Sequence, residues 1–199
     1  MAVFLILGVR DYKRMFAFST VEHMGIIFTA IGLGVPAASA AAMAQIVTHS
    51  VTKSFCFLAA GSALLAVQTR DIASVRGLVW SSPLSAFALL LGGLAIGGAP
   101  PFAVFLSEFS IFRAGYGQRA YVITTAVVIL IVVAFFGILY HVTHMVFGRP
   151  VKPRLERKPL PLSCRVSLLL AALPVVLLGV YVPSPLHQLL RLAAATLER

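Results

Sequence analysis

The chain is a succession of apolar runs separated by short basic or proline-bearing segments. A membrane-spanning helix needs roughly 20 apolar residues. Runs of about that length or longer extend from Met15 to Gly34, Ala37 to Gln68, Pro83 to Phe112, Tyr121 to Phe147 and Val166 to Val182. Inside a bilayer every backbone polar group must be satisfied within the protein, which leaves helices and closed barrels. Runs this long predict helices. The expected fold is therefore an all-α integral membrane protein of about five transmembrane helices in one membrane domain over residues 1–199. With 60% hydrophobic and only 11% charged residues, the sequence does not describe an apolar core wrapped in a polar surface.

The charges are placed as loops of such a protein require. Arg10, Lys13 and Arg14 precede the first run, and Arg70 and Arg76 precede the third. Arg149, Lys152, Arg154, Arg157, Lys158 and Arg165 precede the fifth. Basic loops of multi-pass proteins face the cytoplasm, so these segments predict the orientation of a multi-pass protein of the cell inner (plasma) membrane. The net charge of +10 is then a property of loops facing an anionic leaflet and points to a lipid partner, not to nucleic acid. Residues 148–165, proline-broken and basic, read as a cytoplasmic linker. The tail 185–199 spaces Leu186, Leu189, Leu190 and Leu197 around Arg191 and Glu198, as an interfacial amphipathic helix does. Met1 to Val9 would cover about 14 Å as a helix, short of a hydrocarbon core about 30 Å thick. It looks like the stump of a helix from something longer.

Polar residues within the apolar runs are expensive and usually functional. Glu22 and His23 lie about two turns into the first expected helix. Gln45, His49 and Lys53 follow at i, i+4 and i+8 in the second, with Thr52 and Cys56 beside them, so a polar stripe runs along an apolar helix and must face protein or water. The third run is about 45 Å long if continuous, longer than the hydrocarbon core. Gly97, Gly98, Pro100 and Pro101 interrupt it, which predicts a discontinuous helix, a recurrent mark of ion pathways. Glu108 follows about 10 Å beyond Pro101. Tyr140, His141 and His144 sit near the cytoplasmic end of the fourth run, where Tyr and His act as interface anchors. Cys56 and Cys164 have no spacing suited to a metal. No cofactor-binding, metal or catalytic motif is present, so any redox chemistry would belong to partner subunits.

Three segments, RDYKRMFAFSTVEHMGI, THSVTKSFCFLAAG and GGAPPFAVFLSEF, resemble in that order the second half of the antiporter-like membrane subunits of respiratory complex I and the related membrane-bound hydrogenases. The Val21 to Gly25 version is most similar to that of hydrogenase 4. The resemblance covers Arg10 to Phe112. It implies a proton-translocating subunit of about fourteen helices built from two inverted repeats, of which these residues hold the second. It also implies a relay through Glu22, His23, His49, Lys53 and Glu108, and partnership with other membrane subunits of a hydrogenase or quinone-reductase complex. A subunit of a multisubunit cation/proton antiporter, or a non-conducting remnant, are the alternatives.

Overall fold

The computed structural model describes residues 1–150 and 159–196, which form helices throughout. They are α1 (Ala2–Gly8), α2 (Tyr12–Gly32), α3 (Pro36–Val67), α4 (Leu78–Ser81), α5 (Pro83–Ile96), α6 (Ala103–Gly117), α7 (Tyr121–Phe147), α8 (Leu162–Val180) and α9 (Ser184–Thr196). By length and composition α2, α3, α7 and α8 can each cross a membrane. The remaining crossing is shared by α5 and α6, of 14 and 15 residues, so the fold is the all-helical, discontinuous one that the run lengths predict. Of the basic linker, residues 151–158 lie outside the described residues, as do Leu197 and Glu198 of the tail.

α3 is the hub, touching α2, α5, α6, α8 and α9. Its approach to α5 is close because Cys56 meets a glycine: the buried thiol donates to the Gly92 carbonyl at 3.3 Å. Proline at its first position starts α3 two residues after Gly34, whose φ of +65° turns the chain between α2 and α3. The outward faces of α7 and α8 carry Ile129, Val132 and Phe136, and Leu169, Leu170, Leu173 and Leu177, all exposed. Such faces suit lipid.

Three local features depart from the sequence reading. α2 begins at Tyr12, earlier than the expected Met15, because the Asp11 carboxylate accepts from the Lys13 and Arg14 backbone amides and caps the helix. Tyr12 N then bonds the Arg70 carbonyl and Ile72 N the Arg10 carbonyl, tying this start to the α3–α4 connection. The extra turn moves Glu22 and His23 to about 15 Å along the helix, its middle, not nearer the cytoplasmic end. Second, α1 is a packed element: Val3 and Ile6 are buried, and the ring of His141 donates from Nε2 to the Ile6 carbonyl at 3.0 Å. That carbonyl is one of the last-turn acceptors a short helix leaves unpaired. His141 therefore faces inward, while Tyr140 is exposed. Third, α9 packs against α3 and buries Ala194, while Leu189 and Leu192 stay exposed.

Candidate functional site

The break in the third crossing is a helix terminator followed by two residues that cannot resume the helix. Gly98 takes φ +78°, a left-handed conformation that a residue with a side chain adopts at a cost. Ala99 N bonds the Leu94 carbonyl and Gly98 N the Ala95 carbonyl, the paired closure of a Schellman cap with glycine at C′. Pro100 and Pro101 come next, and α6 starts only at Ala103. Residues 97–102 are thus outside helix, and all of Gly97, Gly98, Pro100 and Pro101 lie in that stretch. One consequence is chemical. The Ile96 carbonyl would normally receive the amide four residues on, but that residue is Pro100 and has no N–H.

His23 of α2 takes that carbonyl. Its Nε2 lies 3.0 Å from Ile96 O, and since a carbonyl only accepts, Nε2 carries the proton. Nδ1 is then free to accept, and Gln45 Nε2 of α3 stands 2.8 Å from it. The same logic orients the Gln45 amide: its nitrogen faces His23, so its oxygen faces α6, where the Ser107 hydroxyl donates to it. Thr48 Oγ1 is 3.2 Å from Ser107 Oγ. A buried chain of polar groups therefore runs from the helix break through the imidazole and the amide to two hydroxyls, and each member has a partner. Such networks are costly when half satisfied.

Beside this chain stands a carboxylate. Glu108 Oε1 is 3.7 Å from His23 Nδ1, too far for a hydrogen bond with the neutral ring but within ion-pair range if Nδ1 gains a proton. Glu108 is 3% exposed and His23 1%. His49 completes the cluster, with its ring centroid 4.6 Å from that of His23 and tilted by 44°. Its Nδ1 is buried and has no hydrogen-bond partner among the described residues. The arrangement gives one proton position on His23 two neighbours, an amide donor and a carboxylate acceptor.

Lys53, one helical turn from His49 on α3, is 7% exposed and reaches across to α2. Its ammonium donates to the Phe16 carbonyl and to Ser19 Oγ, the latter at 2.6 Å. Backbone and hydroxyl oxygens replace part of the hydration that an ammonium loses on burial. Glu22 does not join the cluster. Half-buried on α2, it makes no hydrogen bond among the described residues and acts on Lys53 and Glu108 only through its charge. The fold therefore brings His23, His49 and Glu108 together with Gln45, sets Lys53 toward the Arg10 end, and leaves Glu22 to one side. Sequence reading does not single out Ser19, Thr48 or Ser107. Ser19 had a signal, since it lies four residues before His23 and shares its helix face. Ser107 and Thr48 are ordinary small hydroxyl residues until α6 packs on α3.

Comparison with known proteins agrees with this arrangement of helices. Residues 1–134 match the family described as NADH:quinone oxidoreductase/Mrp antiporter, TM. A hydrogenase-4 component F homolog of Methylacidiphilum infernorum is 35% identical over 179 residues, which are 87% of this chain and 36% of that protein. An NADH-quinone oxidoreductase subunit N of Azobacteroides pseudotrichonymphae is 29% identical over 175 residues, 85% of this chain and 36% of the relative. The chain thus spans about a third of the length of these curated relatives. Among solved structures, the membrane-bound sulfane sulfur reductase, an archaeal respiratory membrane complex, contains a chain that superposes with a TM-score of 0.88 at 28% identity. The match covers 100% of this chain and 40% of that one.

Proposed function

The chain belongs to the NADH:quinone oxidoreductase/Mrp antiporter transmembrane family, and on that premise we propose that it conducts protons through the inner membrane as part of a hydrogenase-4-like or quinone-reducing complex, with other membrane subunits as its partners. The observation that carries this reading is the His23–Glu108 pair, buried in the membrane interior with no fixed hydrogen bond between its members. Two titratable groups held close and out of water are a place where a proton can change owner.

The geometry supplies a sequence of steps. Neutral His23 keeps its Nε2 proton on Ile96 O and presents Nδ1. A proton accepted at Nδ1 turns that atom from acceptor to donor, so the Gln45 amide nitrogen can no longer donate to it and the Glu108 carboxylate becomes the fitting partner. Closing the 3.7 Å gap to hydrogen-bond length passes the proton, or shares it, between imidazole and carboxylate. Lys53 and His49 deliver protons from the Arg10 side. Glu22, at the side of the route, tunes Lys53 by its charge and acts as a further carrier on α2.

The test is proton pumping by the assembled complex in sealed vesicles carrying Glu108→Gln or Lys53→Ala. The reading requires pumping to fall at least tenfold while the subunit still assembles. Unchanged pumping at normal assembly would overturn it.

A further inference from the structure

At the end of the bundle that carries the basic segments, α4, α5 and the start of α8 surround a cavity of about 430 Å³, within the range of about 300–1,000 Å³ usual for small-molecule sites. Ser81, Ser82, Leu84, the buried Leu160 and Arg165 line it. Arg165, in the first turn of α8, is exposed, and its guanidinium makes no hydrogen bond or ion pair among the described residues. No carboxylate lines the cavity. Ser81 and Ser82 are 7% and 5% exposed. The Ser82 hydroxyl donates to Ser85 Oγ at 3.0 Å, but Ser81 Oγ stands 3.5 Å from the Leu78 carbonyl, beyond the roughly 2.5–3.0 Å of a good O–H···O bond. A buried hydroxyl proton is thus poorly used in the same cavity as an unpaired cation. Such a donor set takes an anion, and a guanidinium fits phosphate oxygens.

Deeper in the membrane both helices turn apolar on the same faces. Leu84 is followed at i+3 and i+7 on α5 by Phe87 and Leu91, and Arg165 at i+4 and i+8 on α8 by Leu169 and Leu173. Phe87, Leu169 and Leu173 are 63%, 64% and 59% exposed. Trp80, next to Ser81 in the chain and 64% exposed, stands where tryptophan marks the membrane interface. We propose that the groove between α5 and α8 is a site for an anionic phospholipid, its phosphate held by Arg165 and Ser81 and its acyl chains laid along Phe87 and Leu91 of α5 and Leu169 and Leu173 of α8. A soluble phosphate would use only the mouth and leave the apolar stripes uncovered, and a zwitterionic lipid would bring its own cation against Arg165. Basic pockets between membrane helices on the cytoplasmic side bind anionic headgroups in this way. Such a lipid ties together two helices that meet at the break: α5 ends there at Ile96, and Gly179 of α8 packs against Pro101 and Phe102. The site stands whether or not the chain conducts protons.

The test is photolabelling of the assembled complex in lipid nanodiscs that contain a trace of phosphatidylglycerol or of phosphatidylcholine bearing the same diazirine on an acyl chain, followed by peptide mapping of this chain. The site predicts that phosphatidylglycerol labels α5 and α8 about fivefold more than phosphatidylcholine does, the factor to which about 1 kcal/mol for a basic residue near anionic lipid corresponds. The outward face of α7, around the exposed Val132 and Phe136, should take both lipids equally. Arg165→Gln should bring α5 and α8 down to the phosphatidylcholine level, and Arg165→Lys, which restores the charge, should keep at least half of the preference. Inorganic phosphate, compared with chloride at equal ionic strength, should leave the labelling unchanged. Equal labelling by the two lipids, a preference that survives Arg165→Gln, or one lost as fully with Arg165→Lys would overturn the site. So would label on α7 with none on α5 and α8, which assigns the groove to a protein neighbour, or loss of the preference in phosphate alone, which assigns the mouth to a soluble anion.

Discussion

A β-carbon on Gly98 would lie 2.4 Å from Oε2 of Glu108. The helix break and the carboxylate are therefore one structural unit: the chain closes its cap directly against the acid, and a side chain at position 98 would make the end of Glu108 turn aside. Gly98→Ala meets two penalties at once, this collision and the φ of +78°, the second alone costing about 1–3 kcal/mol. The expected outcome is a displaced Glu108, with pumping reduced at least tenfold and the thermal stability of the complex lowered. Gly61→Ala is the matched control. An added β-carbon there meets nothing within 4 Å, so the substitution should be neutral or raise helix stability by about 0.5–1 kcal/mol.

Gln45 holds two elements of the site in register by donating to His23 and accepting from Ser107. Gln45→Leu leaves His23 Nδ1 without its donor in a buried place, at about 1–3 kcal/mol, while the Ser107 hydroxyl falls back on the Val104 carbonyl 2.9 Å away. Denaturation of the detergent-solubilised complex should show that loss. Ser107→Ala leaves the buried Gln45 Oε1 without its donor and should likewise cost about 1–3 kcal/mol.

Lys53→Met keeps the long apolar stem and removes the ammonium that donates to Phe16 O and Ser19 Oγ. Assembly should survive and pumping should fall by more than tenfold. Ser19→Ala, which deletes one acceptor of that ammonium and leaves the other, should lower pumping by less than Lys53→Met does. Parallel pumping assays on membranes with equal subunit content check the order.

Gly179 of α8 lies under the break. A β-carbon there would come within 2.2 Å of the Pro101 carbonyl oxygen and 2.9 Å of Phe102 Cα. Both are backbone atoms and cannot swing aside. Gly179→Ala should push α8 off the break, an overpacking cost of about 1–3 kcal/mol, and lower the yield of assembled complex. Gly117→Ala, where a β-carbon meets nothing within 4 Å, should assemble normally.

Asp11→Ala tests the start of α2. Losing the acceptor for the Lys13 and Arg14 amides should cost about 1 kcal/mol. Hydrogen exchange of the first turn of α2 should rise before that of the rest of the helix.

The sequence by itself determined the class of fold, the helix order and the place where one crossing breaks. Those follow from local properties: the length of an apolar run, the missing amide of a proline, the φ that only glycine takes cheaply. Asp11 is equally local: as a cap it starts α2 at Tyr12 and sets Glu22 and His23 a turn further along the helix than the apolar run alone does. His23, His49, Lys53 and Glu108 stood out because polar side chains in an apolar run are costly wherever they point. Their pairing was not legible. Gln45 is 22 residues from His23 and 62 from Ser107, and His23 is 73 from the Ile96 carbonyl. Helical periodicity relates residues three or four apart and says nothing about which face of α2 meets which face of α3 or α6. Only tertiary packing decided that His23, not its neighbour Glu22, turns inward to Glu108, because adjacent residues on a helix point about 100° apart and one packed face can take only one of them.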